Sequence, residues 1–333
     1  MKKLILFLLL WCHVLFSQEI TGTVYDIKTK EPLPGATIYL DGTTIGTTSD
    51  FEGYFQLNIQ TSENANVIIS FIGYETRVLT PQELENDMSI ALTESTNQLN
   101  EVDLGLDVWS REKKMGIFIR EFLGKEHSST LCKIVNKKDI KLIHNSSLNT
   151  LIAFSDKPII ILNKYLGYEI SYNLIDFEVE FIYNFQGLLM PSKVFYSGTS
   201  YFKELKNKTK GRILENRKQE YQGSLLHFMR SLATNRLTEN KFGIYHGQFP
   251  TDPYNYFKLT TEDTMVKVDL TAEQIGVLYN KEYQSSIQPE TGTASTFHID
   301  KTGNHSPPNS LIFSGFFGRK RMSSMLPLNY NLN

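Results

Sequence analysis

Between residues 20 and 92 the chain is cut into short apolar runs by turn-forming residues, and this rhythm constrains its fold more than any other feature. Ile20, Gly22 and Val24 fall on one face and Thr21, Thr23 and Tyr25 on the other, the period of two of a half-buried strand. Pro32, Pro34 and Gly35 force a turn before the run at residues 36–40, because two fixed φ angles and a permissive glycine suit a bend and not a ladder. Asp41 and Gly42 break that run, and a β-branched stretch at 43–48 follows. Ser49 to Gly53 then supply turn chemistry before Phe55, Leu57 and Ile59, which alternate inward. The continuous apolar run at 67–72 suits a central strand, and runs at 77–79 and 88–92 complete the set. About seven short strands with turns roughly every 8–12 residues predict an antiparallel β-sandwich.

This stretch is acidic, with 15 acidic side chains against 3 basic ones over residues 18–107. The whole chain of 333 residues carries a net charge of −2, so residues 108–333 are basic, at +8. The length supports two domains, expected at 18–93 for the sandwich and 111–333 for the rest, with a polar linker at 94–110. Residues 1–17 begin basic, turn apolar at 4–10 and end polar, the pattern of a cleaved export signal too short to span a bilayer. Cys12 raises a lipoprotein alternative, but Trp11 stands where lipidation needs a small residue. Cleavage would leave Cys132 as a lone thiol unable to form an internal disulfide, and it reads as a buried apolar side chain and not a nucleophile.

After the linker, Met115, Phe118, Ile119, Phe122 and Leu123 recur at helical spacing over residues 111–125, with Gly124 at the stop. The period then returns to two at 140–144, 151–154, 159–162, 168–174, 177–183 and 194–202, which predicts a mostly antiparallel sheet. A helical insertion is expected at 203–241, where 10 basic residues meet 4 acidic ones and Tyr221, Leu225, Phe228, Met229 and Leu232 make an apolar face. Strands resume at 265–270, 276–279, 296–299 and 311–313, with a hairpin turn at Lys301 to Asn304.

Gly22-Thr23-Val24, Pro32-Leu33-Pro34-Gly35-Ala36, the run at 46–55 and Ile69-Ser70-Phe71-Ile72-Gly73-Tyr74 together resemble the carboxypeptidase regulatory-like domain. The resemblance implies a prealbumin-like sandwich with no peptidase residues of its own, of a kind common at the start of TonB-dependent outer-membrane receptors and other secreted bacterial proteins. Gln98-Leu99-Asn100-Glu101-Val102 is similar to the segment that follows it in those receptors. A receptor barrel is excluded by length, since 22 strands of about ten residues need on the order of 220 residues in strands alone. The runs at 158–172, 216–228 and 315–321 resemble a recurrent secreted bacterial arrangement, this sandwich followed by a β-rich domain without an assigned activity. The expected fold is mainly β, a seven-stranded prealbumin-like β-sandwich followed by a β-rich α+β domain with a helical insertion.

Catalytic constellations are hard to find. None of His127, His144, His227, His246, His298 or His305 belongs to a His-Glu-x-x-His motif, and no serine lies in Gly-x-Ser-x-Gly. Ser200 and Lys203, with Lys301-Thr302-Gly303, echo motifs of penicillin-binding enzymes, yet Ser200 sits in a strand-like run and not at a helix start. Asp50 to Gly53 faintly resembles a calcium loop with too few ligands, and reads better as a hairpin turn. No phosphate-cradling glycine loop occurs, and no cofactor or metal is expected.

The most distinctive polar set is Asn216, Arg217, His227 and Arg230 around Tyr221. These groups suit bidentate pairing with carboxylates or sulfates of an envelope polysaccharide, but the favoured reading is that they cap the helix and tie it to the sheet. The expectation is an exported, non-catalytic binding or scaffolding protein of a Gram-negative envelope, in periplasm, outer membrane or cell surface. Its expected partners are an envelope polysaccharide or envelope protein, with outer-membrane association and no nucleic acid. The alternatives are an unrecognised hydrolase with its site in the second domain, and a small outer-membrane β-barrel carrying a periplasmic sandwich.

Overall fold

The computed structural model describes residues 17–60, 65–80, 83–84, 87–95, 107, 109–205, 211–290 and 295–331. All of the expected leader except Ser17, including Cys12, lies outside them, as do Gln98 to Val102 and most of the expected linker. The described chain is mostly β, arranged around three hydrophobic cores.

The first core lies between two sheets of the N-terminal sandwich. In one, Ser17–Asp26 runs between Tyr54–Gln60 and Met88–Leu92; the other has the order Gly46–Thr48, Thr37–Leu40, Val67–Ser70, Arg77–Leu79. Ile20, Val24, Phe55, Leu57 and Ile59 point inward and are buried, as their alternation predicts. One pairing departs from the expected antiparallel pattern: Met88–Leu92 runs parallel to Ser17–Asp26. A parallel pair needs a long crossover, and the whole second sheet supplies it. Gly22 is required there, since a Cβ would stand 2.5 Å from the Met88 carbonyl oxygen and 2.9 Å from the Phe55 ring. The turn at Asp50 is a self-contained device: its Oδ1 accepts from the amides of Glu52 and Tyr54, and Gly53 adopts φ +73°.

The second core is built on a six-stranded sheet. Its spine is a hairpin of two 16-residue strands, Tyr168–Tyr183 and Leu189–Glu204. On the other edge of Tyr168–Tyr183 lie Ile159–Asn163 and Thr150–Ser155, flanked by Cys132–Ile134 and Ile140–Asn145. Helix α1 (Arg111–Leu123) begins where the Ser110 hydroxyl accepts from the Lys113 amide and ends at Gly124, φ +98°. It lays Phe118 against Phe177, with ring centroids 4.7 Å apart, and Phe122 against Tyr172 at 5.4 Å. A short helix, α2 (His127–Thr130), follows. Cys132, two residues beyond it, has its thiol pushed up to about 12 by burial, away from nucleophilic character.

The third core holds two more sheets. One has the order Phe249–Thr251, Phe242–His246, Ile275–Tyr279, Tyr283–Pro289, Leu311–Ser314; the other runs Phe257–Glu262, Met265–Leu270, Ser295–Asp300, His305–Ser306. The expected helical insertion is the link between the second and third cores. Helix α3 (Gly211–Tyr221) ends with Tyr221 in the second core, and helix α4 (Leu225–Ala233) sends Phe228, Met229 and Leu232 into the third. Gly223, φ +76°, turns the chain between them, and the Ser224 hydroxyl caps α4 by accepting from the His227 amide. A last short helix, α5 (Gly315–Arg319), returns the chain toward α3.

The C-terminal segment fastens the parts together. Met322 and Leu326 enter the second core, while the Leu328 amide donates to the Gly42 carbonyl of the sandwich at 2.6 Å. Thr43 also forms a parallel bridge with Tyr201, and the amides of Gly42 and Phe202 donate to the carbonyls of Ser200 and Thr43. The sandwich is thereby joined to the long hairpin through its backbone.

Candidate functional site

The four polar residues singled out in the sequence gather around the α3–α4 elbow, and their hydrogen-bonding groups face the protein. Asn216 Nδ2 donates to the Tyr165 carbonyl at 2.9 Å. Arg217 is buried, with Nε donating to the Leu166 carbonyl, Nη1 to Glu204 at 2.8 Å, and its guanidinium 3.9 Å above the Tyr168 ring. Its Nη2 alone has no hydrogen-bond partner. Arg230 is committed on every nitrogen: Nε to the Thr302 carbonyl, Nη1 to those of Tyr330 and, more weakly, the Tyr221 hydroxyl, and Nη2 to that of Leu328. His227 accepts on Nδ1 from the Gly223 amide and packs against Tyr221, Phe242 and Tyr279. Burial, reinforced by Arg230, lowers its pKa to about 4, so it is neutral at pH 7. The geometry is that of a joint between helix, sheet and C-terminal segment.

Beside this joint lies a cleft of about 220 Å³. Leu225 and Leu226 of α4, Met325, Leu326 and Leu328 give it a largely apolar lining, and Tyr196 comes from the long hairpin. Its polar groups are Glu220 and Lys320, paired at 2.7 Å, Arg321, and the turn that carries Asn304 and His305. Lys320 also sits 4.8 Å above the Phe316 ring. Burial raises the Tyr196 hydroxyl, which the Arg321 guanidinium faces, so it is a neutral donor at pH 7. Sharing its unpartnered state with His144 elsewhere, His305 stands apart within the cleft. Its Nε2 is buried without a hydrogen-bond partner, its ring meets Phe313 edge-on at 5.4 Å, and burial lowers its pKa to about 4.

The cleft's serines are occupied. Ser224 caps α4, and the Ser324 hydroxyl lies 3.1 Å from that of Ser128. Elsewhere, Ser200 is buried in a strand with its amide donating to Asp41 Oδ1, and Lys203, three positions on, is exposed. The other histidines are scattered against rings or a carboxylate: His127 by Tyr165, His144 stacked on Trp109 at 3.6 Å, His246 on Tyr256, and His298 3.4 Å from Glu262. Among the described residues, no three His, Cys, Asp or Glu side chains gather as metal ligands.

Sequence reasoning placed Lys320 and Arg321 in a motif without giving them a role, and weighed His305 only as a zinc ligand. Tyr196 had no signal beyond its place in a strand.

A family model, the CarboxypepD_reg-like domain, matches residues 20–104, the stretch that folds into the first core. The N-terminal sandwich is a carboxypeptidase regulatory-like domain. Over 91 residues the chain is 42% identical to the TonB-dependent receptor SusC of Bacteroides thetaiotaomicron, which covers 26% of this chain and 8% of that protein. Over 88 residues it is 35% identical to the TonB-dependent receptor P26 of Formosa agariphila, again 26% of this chain and 8% of that protein. The chain thus spans less than a tenth of the length of these receptors, and the likeness lies in the regulatory-like domain. Among solved structures, a provisionally assigned carbohydrate binding protein from Bacteroides uniformis aligns over 90% of this chain and 98% of its own, at 8% identity and a TM-score of 0.19. Joining the regulatory-like domain to a second and third core gives an architecture of open sheets: among the described residues, no sheet closes into a barrel.

Proposed function

We propose that this is an exported, non-catalytic binding or scaffolding protein of a Gram-negative cell envelope, and that the cleft beside the elbow holds part of an envelope polysaccharide. One observation carries the reading. The hydroxyls and carboxylate in the cleft already have partners within the protein, whereas His305 Nε2 is a buried polar atom without one, set among apolar walls. A neutral imidazole both donates and accepts, which suits a sugar hydroxyl, and apolar walls suit the carbon face of a pyranose. A hydrolase would need a serine released from its capping or hydroxyl bond and set beside a base, and the cleft holds its serines otherwise. The kinship of the regulatory-like domain with TonB-dependent receptors supports the envelope location.

A glycan array probed with the purified protein tests this directly, with cell fractionation to locate it. His305→Ala removes the hydrogen-bonding group and Leu226→Trp fills the cleft; each is expected to weaken binding by about tenfold, a loss near 1.4 kcal/mol. Undiminished binding in both variants would remove the cleft from the reading, and turnover of any bound glycan would remove its non-catalytic part.

A further inference from the structure

From the far end of the long hairpin, opposite in character to the cleft, we infer that the protein has a lipid-contacting tip that seats in the headgroup and acyl boundary of a bilayer. Residues 181–192 contain no charged side chain, in a chain that is 21% charged. Within them Ile182, Tyr183, Phe185, Leu188 and Met190 are all exposed, Phe185 to 97%. The last neighbouring strand pair is Thr150 with Glu180, so the rung Ile182–Met190 and Tyr183 extend past it with the turn beyond them, while Leu189 packs back against the second core. At about 3.3 Å per residue the projection is on the order of 10 Å, the depth to which interfacial elements enter.

Three features favour lipid over a protein partner. Ile182 and Met190 face one side of the ribbon and Tyr183 the other, so apolar surface is presented all round. A protein surface covers one side, whereas fluid lipid covers every side. Four amides of the turn are also bonded within it, which lowers the cost of entering the headgroup boundary. Asn184 Oδ1 accepts from the amides of Gln186 and Leu188, the Asn184 carbonyl accepts from Gly187, and the Asn184 amide donates to Leu188. Finally, charge begins sharply at the base of the tip, where Lys193 lies 3.8 Å from Glu180 and pairs with Glu290. This cluster sets one cation against two carboxylates and offers anionic headgroups no attraction, so attachment is driven by apolar contact. Lipid contact at the tip does not depend on the cleft holding a glycan.

The test is flotation of the purified protein with phosphatidylcholine vesicles, with and without phosphatidylglycerol, at low and high salt. The protein is expected to float in all four conditions, and no more strongly with phosphatidylglycerol than without it. Phe185→Ser with Leu188→Ser is expected to lower the partition coefficient by at least tenfold, while Phe249→Ser, an exposed ring beside the third core, leaves it unchanged. Circular dichroism and Trp109 fluorescence confirm that the variants fold. A second readout is Phe185→Trp, whose emission should shift to the blue and be quenched by brominated lipid. Failure to float, flotation only with anionic lipid at low salt, unaltered flotation of the double variant, or self-association through the tip without vesicle binding would each overturn the inference.

Discussion

Two junctions hold this molecule together, and they are built from opposite materials. Where the regulatory-like domain meets the long hairpin, the backbone does the joining, with strand-like bonds between residues 42–43 and 200–202, and the polar side chains at hand are Tyr39 and Asp41. Where the elbow meets the C-terminal segment, one side chain does the joining: Arg230 bonds three backbone carbonyls from two distant stretches. Burial then acts on each in its own sense. It raises the Asp41 pKa to about 6 and lowers those of His227 and His305 to about 4. Both junctions prefer neutral groups, so acid relieves one and burdens the other.

The largest effect is expected at the elbow. Arg230→Met keeps the apolar stem but strands the carbonyls of Thr302, Leu328 and Tyr330, and should cost about 3–5 kcal/mol in urea unfolding. Tyr39→Phe should cost far less, because the side-chain bonds there are between neutral groups whose partners keep alternatives, and the backbone bonds remain. If Arg230→Met melts like the wild type, the contrast between the two junctions is wrong.

The pH response should separate them next. A histidine lowered from 6.5 to about 4 contributes fully above pH 6.5 and loses its contribution as pH falls to about 4. Asp41, raised from 3.8 to about 6, contributes fully below 3.8 and loses its contribution as pH rises to about 6. The slopes oppose one another, and two histidines outweigh one carboxyl, so these three groups make stability rise from pH 4 to 6.5 by on the order of 3 kcal/mol. Asp41→Asn should make that rise steeper and add on the order of 2 kcal/mol at pH 7, since an amide still accepts from the Ser200 amide without a buried charge. A shallower rise in Asp41→Asn would contradict the assignment.

Gly42→Ala should act first on the sandwich junction. Gly42 has φ +72°, and a Cβ would stand 2.5 Å from Leu328 Cδ1. Leu328 Cγ would also stand within 2.8 Å, so Leu328 must shift and the backbone angle sets a floor to the cost of about 1–2 kcal/mol. Trp109, the one tryptophan beyond residue 16, reports on the second core. Loosened docking should appear as a circular dichroism transition that begins before the Trp109 transition.

The contrast also explains what could be read in advance. The sandwich was legible because its strands are bounded by prolines, glycines and Asp50, and its inward residues are, apart from Phe55, aliphatic. In the third body, Phe242–His246, Phe257–Glu262 and Tyr283–Pro289 escaped notice. Tyr283–Pro289 turns Ser285, Ile287 and Pro289 inward, and Ser285 earns its burial only by accepting from the Phe317 amide 32 positions away. The elbow misled for a related reason. Tyr221 and Phe228 read as one apolar stripe, yet Gly223 turns between them and sends the rings to different cores. Arg217 and Arg230 stood out as charges, but their main partners are carbonyls, which no pattern of side chains encodes. The cleft assembles Tyr196, Glu220, His305 and Lys320 from four separate elements, so only the fold brings them together.

Tyr39→Phe is the smallest of these effects and the most direct probe of the sandwich junction. The Tyr39 hydroxyl lies 2.9 Å from Thr199 Oγ1 and accepts from Asn173 Nδ2 at 2.7 Å, both on the long hairpin, while its ring stacks on Tyr201 at 5.3 Å. Phenylalanine keeps the stack and removes only the hydroxyl. Asn173 Nδ2 still has Thr199 Oγ1 within 3.2 Å, so neither partner is left stranded. The loss should therefore stay near 1 kcal/mol in urea unfolding, without the early transition expected for Gly42→Ala. A loss as large as that of Arg230→Met would mean that side chains, and not the backbone, join the sandwich to the body, and the two junctions would differ only in which residue does the work.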